Sequence, residues 1–425
     1  MSGAQAFVAR TGFVAIALAC LVAGPDAHAG DARTVLSTFL SSVSIRHGVA
    51  HGSLVVMPIV LNEEPPAPAK GANANAVAGA GAGLTEPAAG IAWRSVPGSD
   101  VVVELTAGPA PAGRERFLPT GTLLLGGERE RMVAGPVPLR GDESAAVGSV
   151  VCDSRKKAAV PVGGQRPGAI APLEQRKVQS KGEGAGVLTF VQQIQCCIAQ
   201  LPVGTETIAE VLQSTFVTDG VRERMSELSR VPKAYGGLTV GHVAFFGFRP
   251  VEVVAYSKPS DYQALGPAHL RSLAASHVFW SNAAGDVAAP AADADVRRLA
   301  PEALAILQSF ARMQTRPVRP REGERSRWAL HAGDAETDVR AGGRKEAFDC
   351  RFALDEKGRL TYVEAIESGD EPIYPPPYRE PGGRPVGEPP SNKGNGDLSP
   401  EALQRLLERI LRNREKRKAQ NAGER

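Results

Sequence analysis

Short apolar runs broken by glycine, proline and charge dominate the chain, and their period identifies most of the elements. Ser53–Leu61 (SLVVMPIVL) is a β-branched run of buried-strand type. Pro58 within it predicts an edge strand or a bulge. A shorter strand is predicted just before it, over Leu40–Arg46. Asp100–Thr106, Leu123–Leu125, Met132–Leu139 and Ala146–Cys152 follow as further short strands. Residues 153–185 are polar, basic and glycine-rich, the pattern of a long loop.

Helical patterns begin later. Thr205 or Thr207 is placed to cap a helix reaching about Phe216, and Asp219 to cap another ending at Leu228. Residues 238–256 read as a hairpin turning at Arg249-Pro250, followed by helices over 267–279 and 301–314. A last hairpin joins Phe348–Leu354 to Arg359–Ile366 across Asp355-Glu356-Lys357-Gly358. These patterns predict an α+β fold of mostly short antiparallel strands, with helices concentrated in the second half. A disordered insertion and a C-terminal tail are added to it.

The ends and the insertion have their own character. Residues 1–29 have the anatomy of a secretory signal peptide: Arg10, the apolar stretch Phe13–Ala23, and small residues at Ala27 and Ala29. Lipidation at Cys20 is the rival reading, and it fits less well because Ala17-Leu18-Ala19 is a poor lipobox. The main domain then starts at 30–61, is interrupted by a low-complexity insertion at 62–90, and continues over 91–315. A C-terminal hairpin region (316–370) and a Pro-rich linker (371–398) follow. At 399–425 a capped helix is expected, with Leu403, Leu406, Leu407, Ile410 and Leu411 on one face and a basic end, RNREKRKAQ. Such a segment is suited to dock on its own domain, on an envelope protein or on an anionic surface.

Composition narrows the function classes. Glycine (46) and proline (33) make up about 19% of the 425 residues, against roughly 12% on average, which suits a turn-rich β domain. A formal net charge of +3 argues against a general polyanion binder. No aromatic residue interleaves the basic tail, so nucleic acid is not an expected partner. No run after the first segment is long enough to be a transmembrane span, so the processed protein is expected to be soluble in the periplasm or outside the cell. In an oxidising compartment Cys152, Cys196, Cys197 and Cys350 become disulfide candidates. Neighbouring Cys196 and Cys197 are the least favoured pair, so each is expected to join Cys152 or Cys350; buried free thiols are the alternative.

Most catalytic constellations are missing. There is no G-x-S-x-G elbow and no H-E-x-x-H helix. Ser154-Arg155-Lys156-Lys157 matches S-x-x-K without its partner motifs, and the GAGAG run at 79–83 lacks the strand, helix and lysine of a phosphate loop. His47 and His51 would bind a metal only on a helix, and Gly48 and Gly52 argue for a loop. His242, in an apolar strand, reads as a core histidine. No metal and no cofactor is expected.

The densest chemistry lies in Phe117–Asp153. Gly126-Gly127 allows a tight turn or a close backbone approach, and Glu128, Arg129, Glu130 and Arg131 follow. On a strand that alternation places Arg129 and Arg131 on one face, where two guanidinium groups grip a phosphate or carboxylate. A solvated strand edge with internal ion pairs is the alternative.

The pattern "MPIV", "PTGTLLLGG" with Arg131 beyond it, then "VVCD", resembles a bacterial domain family named for its association with ADP-ribosylglycohydrolases and rhodanese-phosphatase proteins. The later VGHVAFFGFRPVEVVAYSKPSDYQALGPAHLRSLAASHVF is similar to that family's closing strand–turn–strand–helix, so the likeness covers roughly residues 35–315. Arg131 and Cys152-Asp153 match its motif, whereas Arg129 stands where the family tends to have glutamine.

The resemblance implies an ADP-ribose-like or other phosphorylated ligand at a surface of Gly126, Gly127, Arg129, Arg131 and Asp153. The expected function is an exported, non-catalytic binding or accessory protein. The alternatives are a hydrolase of such a ligand using Asp153 or Glu143 as base, and an envelope protein-interaction protein acting through its tail.

Overall fold

The computed structural model describes residues 26–62, 84–85, 90–99, 101–108, 115–127, 129–141, 143–152, 166–180, 207–284, 293–320, 324, 328–339 and 344–369. Residues 1–25, the bulk of the 62–90 insertion and the 371–425 tail lie outside them, as do Asp153, Ser154–Lys157, Cys196 and Cys197.

The protein is α+β, built on a nine-stranded antiparallel sheet. Its order is β1 (Val43–Ile45), β3 (Leu54–Leu61), β13 (Thr239–Phe246), β14 (Arg249–Tyr256), β18 (Leu360–Glu367), β17 (Arg344–Leu354), β16 (Ala329–Val339), β15 (Arg316–Pro317). Strand β2 (Val49–His51) also pairs with β3. Strand β3 is therefore internal, not the edge that Pro58 allowed, while an irregularity of the kind it also allowed lies beside it, where the β13 register shifts between Thr239 and Gly241 opposite Val60 and Ile59. The proline is tolerated because the ladder on the opposite flank is split: β1 pairs with 59–61, β2 pairs with 54–56, and Met57-Pro58 face the gap. The 348–366 hairpin completes the same sheet, because β18 pairs with β14. Its 355–358 turn forms where expected, whereas the β13–β14 turn falls at Gly247 (φ +61°) rather than at Arg249-Pro250.

One face of this sheet is apolar and is covered by helices α1 (Asp26–Ser41) and α6 (Asp293–Arg312). Helix α6 buries Val296, Leu299, Ala303, Ile306, Leu307 and Phe310, a 3-4-7 stripe. The other face is covered by α5 (Pro259–Ala284), which is buried along most of its length, and by α2 (Leu173–Ser180), α3 (Ile208–Gln213) and α4 (Thr215–Leu228).

Several elements differ from expectation. The predicted Leu40–Arg46 strand forms over Val43–Ile45 as β1, and helix α1 takes only its first two residues, Leu40 and Ser41. Strand β12 (Arg166–Ile170) and helix α2 occupy the segment read as a loop over 153–185. The expected single helix from 205 to 216 breaks at Ser214, which caps α4 in place of Asp219, while Thr207 caps α3.

A smaller β unit packs against the α2–α5 face. Its six-stranded sheet runs β12, β8 (Thr122–Leu125), β9 (Arg131–Val133), β11 (Ser144–Val151), β6 (Val102–Ala107), β5 (Ile91–Ser95). A three-stranded sheet of β10 (Val137–Leu139), β7 (Glu115–Leu118) and β4 (Leu84–Thr85) sits with it. Phe117 anchors the junction, stacked on Trp328 at 5.2 Å and edge-on to Tyr362 at 5.2 Å and Tyr256 at 6.0 Å. No helix among the described residues is long and apolar enough to cross a membrane.

Candidate functional site

The residues singled out from sequence are held by their own protein. Strand β9 begins only at Arg131, and Arg129 and Glu130 lie before it outside any strand, so Arg129 and Arg131 do not share a strand face. Gly126 supplies a positive φ (+83°) after β8. A Cβ on Gly127 would stand 2.3 Å from the indole of Trp93, so this glycine makes room for a core tryptophan. Trp93 Nε1 in turn donates to Leu125 O at 2.8 Å. Arg129 is half-buried, while Arg131 is buried and donates to Ser149 Oγ at 3.2 Å.

Glu130 is buried too. Its carboxylate accepts the N–H groups of Ile208 (2.8 Å) and Ala209 (3.0 Å) at the start of α3, where a negative charge complements the helix dipole. Glu143 accepts the backbone N–H of Arg140 at 2.8 Å and closes a turn. Cys152 is buried with its Sγ 3.7 Å from Glu130 Oε1, and Cys350 is a buried thiol that burial pushes up in pKa. The two belong to different core clusters, and their expected partners lie outside the described residues.

Two other polar centres come together, both around an arginine. The first lies under α5. On β14 and β18 the register sets Val254 opposite Glu364 and Glu252 opposite Ile366, so both glutamates face α5 on adjacent strands. Arg176 of α2 reaches between them. Its Nη1 donates to Glu364 at 2.6 Å, its Nη2 to Glu252 at 2.7 Å, and its Nε to Ala171 O at 3.2 Å. All three side chains are essentially inaccessible.

The arginine stem lies against Gly121, where a Cβ would stand 2.5 Å from Arg176 Cδ. The PTG of the sequence motif thus seats Arg176. His242 and His269 approach Glu252 at 3.6 and 3.8 Å, and their other ring nitrogens lie 2.9 Å from Tyr262 Oη and 3.0 Å from Tyr256 Oη. Burial raises the Glu252 pKa, but Arg176 and the two imidazoles outweigh it and hold the carboxyl well below the usual range. Burial pushes His269 down.

Glu252, His269 and Glu364 place one ligand atom each within 4.8 Å of one another, the only such trio among the described residues. The Arg176 guanidinium bridges both carboxylates, so it supplies the positive charge that a metal ion would bring. The cluster is buried, its Glu252 Oε2, His242 Nε2 and His269 Nδ1 make ion-pair approaches rather than hydrogen bonds, and its central arginine lies in the stretch that sequence patterning assigned to a loop.

The second centre lies between α4 and α5. Arg224 Nε donates to His277 Nδ1 at 2.7 Å, and His277 Nε2 lies 2.8 Å from Ser53 Oγ. Because a guanidinium only donates, Nδ1 must accept, and the neutral imidazole carries its proton on Nε2 toward the serine. Burial, then the charge of Arg224, lowers the His277 pKa to about 3. A serine–histidine nucleophile pair needs a lone pair, not a proton, on the serine-facing nitrogen. This pair has the opposite polarity.

The aromatic rings of Trp280 and Phe246 flank His277 at 5.6 and 5.3 Å. Beside them an open groove of about 610 Å³ is lined by Thr215, Phe216, Asp219, Glu223, Arg224 and Ser281 among others. His47 lies in a loop and His51 at the end of β2, so the pair has no helical spacing; His51 is 3.6 Å from Glu223.

No known protein family, characterised protein or solved structure matches this chain.

Proposed function

We propose that this is an exported, non-catalytic binding or accessory protein. The observation that carries the reading is the hydrogen bond from Arg224 Nε to His277 Nδ1: with Nδ1 accepting, the neutral imidazole turns its proton toward Ser53 and does not activate the serine. The Arg176 cluster supports it, since its carboxylates neutralise a guanidinium in the interior and face no solvent. The phosphorylated-ligand expectation from the family resemblance remains the first to try. A thermal-shift screen of nucleotides, sugars and phosphates on the secreted form is expected to give ligand-dependent stabilisation without turnover. Hydrolysis of any panel member, lost in Glu143→Gln or Asp153→Asn, would replace this reading with the hydrolase one.

A further inference from the structure

The geometry points to the α4–α5 groove as a binding site for a small phosphorylated polyol, with Arg224 receiving the phosphate; this rests on the binding reading above. Arg224 donates to Gly220 O at 2.9 Å, His277 Nδ1 at 2.7 Å and Ser281 Oγ at 3.0 Å, and all three acceptors are neutral. Among the described residues no carboxylate lies within ion-pair distance of it. A half-buried arginine left in this state is costly unless an anion joins it. Three of its five N–H bonds are engaged, which leaves two, one on each terminal nitrogen, for a single anion. Arg224 forms part of the groove lining, together with Thr215, Phe216 and Ser281.

The rim selects the rest of the ligand. Asp219 and Glu223 line the same groove and are exposed, at 56% and 69%. Asp219 pairs with Arg222 at 2.8 Å and Glu223 approaches His51 at 3.6 Å; Glu223 acts on Arg224 through space, but burial outweighs it and the Arg224 pKa stays lowered. Carboxylates accept hydroxyl protons, so a ligand with one phosphate and several hydroxyls satisfies both ends of the groove. A bare polyanion would be repelled by the same acids.

The experiment is calorimetric titration of the full secreted protein with ribose 5-phosphate, inorganic phosphate and ribose. Ribose 5-phosphate is expected to bind, inorganic phosphate more weakly, and ribose not at all. Arg224→Lys should weaken ribose 5-phosphate roughly tenfold or more, because lysine lacks the planar fork. Glu223→Gln sits on an exposed position and keeps the fold; it should tighten inorganic phosphate by about two- to fivefold through lost repulsion.

Equal binding of ribose and ribose 5-phosphate, or of phosphate and ribose 5-phosphate, overturns the proposal. So does the absence of binding at ~10 mM, or affinity unchanged in both variants. If Arg224→Lys fails to fold, the Glu223→Gln titration alone decides. Failure here with thermal stabilisation by another ligand moves the site but keeps the binding reading. Turnover of bound ribose 5-phosphate removes that reading and leaves the site.

Discussion

Arg176 and Arg224 sit on opposite sides of α5 and are stabilised in different ways. Arg176 is fully buried, and two glutamates from adjacent strands more than offset the cost of burial, so its guanidinium is held above its ordinary pKa. Arg224 is half-buried among neutral acceptors, and burial lowers its pKa. One arginine completes a charge set within the fold, whereas the other leaves a charge facing a groove. The difference separates a structural polar cluster from a binding one, since an internal counter-ion leaves nothing for a ligand to supply.

The sharpest way to break the comparison is Arg176→Met. It leaves Glu252 and Glu364 buried without a cation and should cost about 3–5 kcal/mol in urea unfolding. Adding Glu252→Gln and Glu364→Gln to that variant should recover a large part of the loss, because the unpaired charges go with the arginine. Arg224→Met should cost clearly less, roughly 1–3 kcal/mol, since it strands only neutral acceptors. Equal losses in the two single variants would show that the neutral and ionic settings do not differ as described.

Acid sharpens the same contrast. An unfolded histidine takes up a proton near pH 6.5, but His277 in the fold does so only near pH 3. Between those values the folded state binds fewer protons, so stability falls as pH falls, on the order of 5 kcal/mol in all. His269, also lowered by burial, adds to the slope in the same direction. Glu252 adds its own loss below the ordinary glutamate range, because its folded pKa is depressed. Urea unfolding across pH 6.5 to 4.5 should therefore show a slope above one proton, and His277→Gln should remove one proton of it. An unchanged slope in that variant would put His277 in contact with solvent.

Gly121→Ala tests how Arg176 is seated. The added methyl meets the arginine stem at 2.5 Å and forces a side chain into φ +79°, so a loss of about 1–3 kcal/mol is expected. Gly127→Ala, which meets Trp93 instead, should destabilise the small β unit while leaving the Arg176 cluster intact. Near-ultraviolet circular dichroism would report the tryptophan in the second variant and little change in the first.

These tests bear on what the chain made legible. Short apolar runs bounded by turn residues identified β3, β6, β8, β11, β13 and β14, because β-branched composition and burial decide strands directly. The 355–358 turn was legible for a similar reason: Asp355 accepts the N–H groups of Lys357 and Arg359, a local device written in adjacent residues. Helix α2 was not legible, because its Glu174, Gln175, Arg176 and Lys177 are buried although they read as surface. Their partners are far away in sequence: Glu252, Glu364 and, for Lys177, Glu367 at 2.9 Å. A buried charge is announced only by its counter-charge, and no local window contains both. The same distance hid the pairing of Ser53 with His277. The Gly126–Arg131 stretch failed in the opposite sense, since dense local chemistry there is used by Trp93, Ser149 and the start of α3.

The smallest expected effect lies where charge is exposed. Arg140 meets Glu356 at 3.5 Å, joining the small β unit to the 355–358 turn, with both side chains more than half exposed. Arg140 also holds Glu115 at 2.9 Å, and that bond is the chief cause of its raised pKa. Solvent screens the outer pair, and two long side chains must be ordered to form it. Glu356→Ala is expected to change stability by less than about 0.5 kcal/mol, and 1 M salt should erase the change. A larger, salt-resistant loss would mean that the turn is clamped to the β unit by a desolvated pair. Arg140 would then belong with Arg176, as an arginine whose counter-ions lie within the fold.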